Sequence, residues 1–245
     1  MNAHLYRILI FAAFACLFFP SSAEAQKNKL VGGKTAAKTP AKTETKTELK
    51  AANSVEKMPA LSELEMSIVS EINQVRNNPQ SFIAYLEEYK KYLIGKMLSL
   101  PNKPKMVMIE GLPAVEDAII DLKKLSKQNS FAVSNGLSKV ARSQLLDLQE
   151  NPSLKHFGKD GSTLDVRMSR VGFSGGAIAE NISHRVEAAR EVILAMIIDD
   201  GVKSRSHRKN IFSPTFRLFG IACGIGKDAR TLCVAEFADD FQENR

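Results

Sequence analysis

Between His156 and Phe216 the chain concentrates side chains that can bind a cation or move a proton. The segment reads HFGKDGST from 156, AENISH over 179–184 and IIDDGVKSRSHRKNIFSP over 197–214. The chain has 4 histidines, and His156, His184 and His207 all fall here. Each is flanked by Gly, Ser, Asn or Asp, the composition of turns and not of an apolar periodic face. Carboxylates accompany them: Asp160 and Asp165 after His156, Glu180 before His184, Asp199 and Asp200 before His207. Imidazole nitrogens and carboxylate oxygens from separate elements can converge on a divalent ion, and imidazole-rich sites favour Zn²⁺. The intervals are long, so only the fold can gather these groups. Ser206 adjoins His207, but neighbouring side chains do not face each other and no G-x-S-x-G elbow is present, which argues against a serine hydrolase.

The elements that must position these residues are mostly helical. Leu61, Leu64, Ile68, Ile72 and Val75 recur at three- and four-residue steps behind Ser62 and Glu65, a capping-box spacing. Asn78-Pro79 breaks this helix, and a second runs on through Phe82, Leu86 and Tyr89. Leu100–Pro104 reads as a loop and KMVMIE as a short strand. Amphipathic helices are predicted over Pro113–Gln128 and about Leu137–Gln149, and a short one over Thr163–Arg170. GGAIAENIS reads as a strand on which Glu180 shares the face of Ile178 and Ile182, a half-buried carboxylate in need of a partner. The most apolar helix spans Glu187–Asp199, and a terminal hairpin turns near Asp228. This order predicts an α+β domain, a three-layer αβα sandwich around a small antiparallel sheet.

The first fifth of the chain is read as address and spacer. Residues 1–25 hold Arg7, the apolar run ILIFAAFACLFF and then PSSAEA. That run is too short for a membrane span and suited to a signal peptide cleaved after Ala25. Residues 26–57 carry Lys34, Lys38, Lys42, Lys46 and Lys50 at every fourth position with little to bury, so a disordered Lys/Thr/Ala-rich linker is expected. It contributes most of the +7 net charge. Residues 58–245, the expected folded domain, are near neutral, which excludes a nucleic-acid binder. The expected location is secreted or periplasmic, with no transmembrane helix in the mature chain. The Lys-rich tail is suited to contact with anionic surfaces. In an oxidising compartment Cys223 and Cys233, across the hairpin from one another, are expected to form a disulfide.

The ordered motifs HFGKDGST…R…GF, AENISH and SHRKNIFSPTFRLFGIACG resemble the CAP superfamily: cysteine-rich secretory proteins, insect antigen 5 and plant pathogenesis-related proteins. The resemblance is to the bacterial secreted branch, whose members read DDG…R-HR-N before the hairpin, and it covers about residues 61–238. It implies an αβα sandwich around a cleft with two His and two acids. Position by position these are His156, Glu180 and His207, with Asp199 as the second acid and Asp200 as its alternative. Ala179 stands where the family has Gly, Asp199 is a methylene shorter than Glu, and Met196 stands where the family has Trp. His184 lies outside the set.

The expected function is therefore a secreted binding module. Its His156/Glu180/Asp199/His207 cleft would hold Zn or another divalent metal, and its ligand would be a lipid, a sterol-like molecule or a cell-envelope component. The alternative is a metal-dependent hydrolase, peptidase or cell-wall-active, with Glu180 as general base. A third reading makes the polar cluster a structural knot alone.

Overall fold

The computed structural model describes residues 60–184 and 187–244; the leader and the Lys-rich linker lie outside the described residues, as does the segment 185–186. The chain divides into two units, Met1–Asn53 and Ser54–Arg245, and everything below concerns the second.

Ser62 Oγ accepts the Glu65 N–H at 3.3 Å, and Glu65 accepts the Ser62 N–H at 2.8 Å. This capping box starts α1 (Glu63–Asn77), as the sequence predicts. Pro79 then opens a short 3₁₀ turn (Pro79–Phe82) that feeds α2 (Ile83–Lys91). The next segment holds more strand than expected: β1 (Leu93–Ile94), β2 (Met97–Leu98) and β3 (Met106–Val107) form a three-stranded antiparallel sheet. Gly95, at φ +62, makes the tight turn between its first two strands.

Helix α3 (Leu112–Lys124) stops four residues short of its predicted end. The Gln80 side-chain amide donates to the carbonyls of Leu122 and Leu125 at 2.8 Å each, satisfying groups the helix end leaves open. Next come β4 (Ala132–Val133), α4 (Asn135–Glu150), α5 (Leu164–Ser169) and β5 (Gly172–Phe173). After these are β6 (Ile178–His184), α6 (Ala189–Ile198), α7 (Ser206–Phe212), β7 (Leu218–Ile225), β8 (Thr231–Ala238) and β9 (Gln242–Glu243). Turn-like sequence around His207 conceals α7: its Ser, Arg, Lys and Asn residues read as loop, while Arg208, Ile211 and Phe212 are buried.

The central sheet runs β4-β7-β8-β6, antiparallel except for the β4–β7 edge. One face packs on α1, α2, α3, α6 and α7 through Ile68, Leu122, Val192, Ile221 and Phe237. The opposite face carries α4 and α5 through Leu145, Ala222, Val234, Leu137 and Met168. That is the three-layer αβα arrangement. Gly220 permits it: a Cβ there would run into the backbone of Leu137 and Ser138, so only glycine lets α4 lie this close to β7. Cys223 and Cys233 sit opposite one another on β7 and β8 and are joined in a disulfide. No helix among the described residues is long and apolar enough to cross a membrane.

Candidate functional site

Strand β6 carries the first of the predicted acids into a buried position. Ile178, Glu180 and Ile182 share the α4 face by strand alternation, as expected from sequence. Glu180 Oε2 accepts from Arg167 Nη2 at 2.6 Å, and its Oε1 lies 2.8 Å from His156 Nδ1 in a hydrogen bond. Arg167 comes from α5 and is itself buried. Its Nη1 donates to the carbonyls of His156 and Ser162, at 3.1 Å each. Gln144, on α4, donates to the carbonyls of Lys155 and Phe157 at 2.7 and 3.0 Å. The irregular loop bearing His156 is thus gripped on three consecutive carbonyls by two buried side chains, while the imidazole stays half-exposed.

A third ionisable group completes this half of the site. Glu236 of β8 pairs in register with Glu180 on one side and with Gly220 on the other, and it is fully buried. As a carboxylate it meets no donor among the described residues. Burial, then the neighbouring Glu180 charge, hold its carboxyl well above the usual range. The proton it keeps makes it a donor toward Glu180, which resolves the buried acid pair without a second charge.

The second His and acid meet where α6 hands over to α7. Asp199 follows α6 in the left-handed region, φ 55 and ψ 45, a conformation that short polar side chains tolerate. Its Oδ2 accepts the backbone N–H of His207 at 2.8 Å and of Arg208 at 3.4 Å. It therefore caps α7, whose own N-cap residue Arg205 supplies no side-chain bond. Its Oδ1 lies 2.8 Å from His207 Nδ1. That approach lacks hydrogen-bond alignment and is an electrostatic contact. Asp200 turns away, accepting the N–H groups of Ile109, Glu110 and Gly111. Of the two candidates, Asp199 is the one beside His207.

Helix α7 is fixed by ion pairs to the α3 region. Arg205 bonds Glu110 at 2.6 and 2.9 Å and Asp117 at 2.9 Å, and Arg208 reaches Asp117. The bond from Arg205 holds the Glu110 carboxyl down to about 2, helped by the Gly201 N–H.

Residue 181 ties the halves together. Asn181 Nδ2 donates to the His207 carbonyl at 3.0 Å, and its Oδ1 accepts from Asn210 at 2.8 Å. Consecutive residues of one strand thus hold the two histidine regions: Glu180 takes His156, and Asn181 takes the backbone of His207. The four predicted residues are brought together as two pairs, His156–Glu180 and His207–Asp199. Among the described residues, no three His, Cys, Asp or Glu side chains are gathered as ligands of one ion. Asp160 and Asp165 serve local turns instead, bonding Ser162, Arg170 and Thr163. His184 ends β6, exposed.

Sequence reasoning does not single out Arg167, Gln144, Asn181 or Glu236. Glu236 has the best signal, a lone acid inside the apolar strand TLCVAEFA.

Elsewhere, a groove of about 780 Å³ lies between α2, the β1–β3 sheet and α6. Tyr85, Tyr89, Tyr92, Leu98, Met106 and Leu194 line it, and none of the four predicted site residues does. Burial, then the Asp200 and Glu191 charges, push the Tyr89 phenol up to about 12, so it remains a neutral hydrogen-bonding group.

Three solved structures are similar to the chain. An outer surface protein from Borrelia burgdorferi aligns at TM-score 0.39 with 20% identity, over 52% of this chain and 89% of that one. An extracellular protein containing an SCP domain from Bacillus anthracis str. Ames aligns at 0.34 with 22% identity, over 51% and 38%. A cysteine-rich secretory protein from Staphylococcus aureus aligns at 0.33 with 15% identity, over 53% and 38%. The chain thus spans well under half the length of the last two. No curated protein matches it. The model of the CAP family, the cysteine-rich secretory protein family, matches residues 69–237, more than half of the chain and all of the site just described. The chain belongs to the CAP, or cysteine-rich secretory protein, family.

Proposed function

We propose that this is a secreted or periplasmic binding module in which His156 and His207 hold a divalent metal, Zn or another, and which takes a lipid, sterol-like or cell-envelope ligand. One observation carries the metal half: each imidazole has its Nδ1 against a buried carboxylate, 2.8 Å away in both cases. At His156, where the contact is a hydrogen bond, the carboxylate keeps the proton on Nδ1 and leaves the Nε2 lone pair for a metal, the arrangement that orients metal-binding histidines. At His207 Asp199 acts by its charge and by holding the backbone N–H. Neither Nε2 has a hydrogen-bond partner among the described residues. The donor set fits a borderline cation, with Glu180 and Asp199 acting as orienting partners and not as ligands. A bound metal would supply a Lewis-acidic point for an anionic or carbonyl oxygen of the ligand. The ligand half rests on the tyrosine-lined groove, whose volume is in the range of small-molecule sites.

Calorimetry with Zn²⁺ on the purified protein and on a His156→Ala/His207→Ala variant tests the metal. Measurable affinity in the parent and none in the variant is expected; equal affinity in both removes the metal. The hydrolase alternative needs Glu180 to accept a proton from water. Both its oxygens are already engaged, by Arg167 and His156, which weakens it as a base. Metal-dependent turnover of a peptide or peptidoglycan panel, lost in Glu180→Ala, would restore that reading.

A further inference from the structure

The small sheet β1–β2–β3 is built inside out for a surface element. Its inner residues Leu98 and Met106 face each other across the strands and pack toward the core. Its outer row is also aliphatic: Ile94 lies opposite Met97, and Met97 opposite Val107, with exposures of 81, 38 and 68%. Ile109, two residues beyond Val107, is 67% exposed. Polar residues would ordinarily take the water side of a sheet packed on one face. A contiguous aliphatic row there marks a surface that meets something apolar.

The charges around it say what that is. Residues 93–109 contain Lys96, Lys103 and Lys105 and no Asp or Glu. The acids beside Ile109 are already engaged, Glu110 by Arg205 and Asp200 by the N–H groups of Ile109, Glu110 and Gly111. Lys103 is held by Glu191 and Glu187. Lys96, in the turn between β1 and β2, and Lys105, leading into β3, are exposed and form no ion pair among the described residues. By strand alternation Lys105 shares the outer face of Val107. Aliphatics bordered by unpaired lysines, with Tyr92 at the edge, have the composition of elements that lie in the headgroup layer of an anionic bilayer. A soluble polyanion would use the lysines and leave the aliphatics in water.

We infer that the outer face of this sheet docks on an anionic lipid bilayer, with Ile94, Met97, Val107 and Ile109 entering the headgroup boundary and Lys96 and Lys105 engaging phosphates. This names a partner for the binding module and rests on neither the imidazoles nor the metal, though Lys105 and Val107 also line the groove proposed for its ligand.

The test is co-sedimentation of the full chain with vesicles of phosphatidylcholine alone or of equimolar phosphatidylglycerol and phosphatidylcholine. Binding to the anionic vesicles only, weakened by salt, is expected. Ile94→Ser/Val107→Ser should lose about tenfold or more. Lys96→Gln/Lys105→Gln should lose about twenty-five-fold, on the order of fivefold per lysine. The four side chains are exposed, so thermal melts should match the parent, and the same substitutions made with the linker lysines changed to Gln throughout keep linker binding from masking the loss. His156→Ala/His207→Ala should bind vesicles normally whatever becomes of its metal. Parent-like binding by both surface variants overturns the inference, as does failure of the parent to sediment. So does a concentration-dependent dimer that Ile94→Ser/Val107→Ser abolishes, for then the face is covered by a second copy.

Discussion

Glu180 and Glu236 face each other across β6 and β8 in strict register, and a single buried guanidinium, Arg167, serves the pair. Two carboxylates cannot both be ionised there, and Glu236, deeper and without a donor, keeps the proton.

This has a sign that can be checked. The folded value of Glu236 lies above its ordinary 4.5, so the native chain holds a proton that the unfolded chain has released. Its contribution to stability is whole below about pH 4.5 and is lost as pH rises toward the folded value. Glu236→Gln keeps the shape and a neutral donor without the proton. Thermal melts from about pH 5 to pH 8 should therefore show the variant gaining on the parent as pH rises. A gap that stays constant with pH would mean that Glu236 carries no extra proton.

Arg167 answers for more than one charge. Its removal strands the buried Glu180 carboxylate and frees the carbonyls of His156 and Ser162. Arg167→Ala should cost about 3–5 kcal/mol in urea denaturation, the usual penalty for orphaning one half of a buried pair. Arg167→Lys should recover only part, because one ammonium cannot span the carboxylate and both carbonyls. A loss under about 1 kcal/mol for alanine would show Glu180 compensated from elsewhere.

Much of this fold is legible in the sequence because its signals are local. The Ser62/Glu65 capping box, the Asn78-Pro79 break and the alternation around Glu180 each state a conformation within a few residues. The facing cysteines are equally plain, since a hairpin sets its own register. Helix α7 is hidden because its first turn is capped by Asp199, from the element before it, and Arg205 at its N-cap is uninformative. Strands β1, β4, β5 and β9 are two residues each, too short for a period to show. At the site, sequence reasoning names both histidines and their acids but not Arg167 or Glu236. A partner on a different element leaves no spacing to read.

The disulfide closes a short loop, ten residues in separation. Cross-linking a loop of that size is worth about 2–3 kcal/mol through the unfolded state. Cys223→Ala/Cys233→Ala should lower the urea midpoint accordingly, and reducing agent should move the parent to the same place. The Cys223 N–H bond to buried Glu65 at 2.7 Å survives the exchange, so the variant should fold. Reductant that leaves the parent unmoved would indicate that the bridge is absent or adds nothing.

The roles assigned to the carboxylates separate most clearly from those of the imidazoles under metal titration. If Glu180 and Asp199 orient the rings from Nδ1, then Glu180→Gln and Asp199→Asn should each weaken Zn²⁺ binding by about 10- to 100-fold without abolishing it. His156→Ala and His207→Ala should remove it, because the Nε2 donors themselves are gone. The two acids should also differ in stability. Asp199→Asn keeps a residue type that tolerates φ 55 and can still accept the His207 N–H, so the start of α7 persists. Glu180→Gln removes a charge from beside buried Arg167 and should cost more, on the order of 3 kcal/mol. An acid variant that abolishes binding as completely as the histidine variants would make that carboxylate a ligand, and the two pairs would then have to close into one four-group site when the metal arrives.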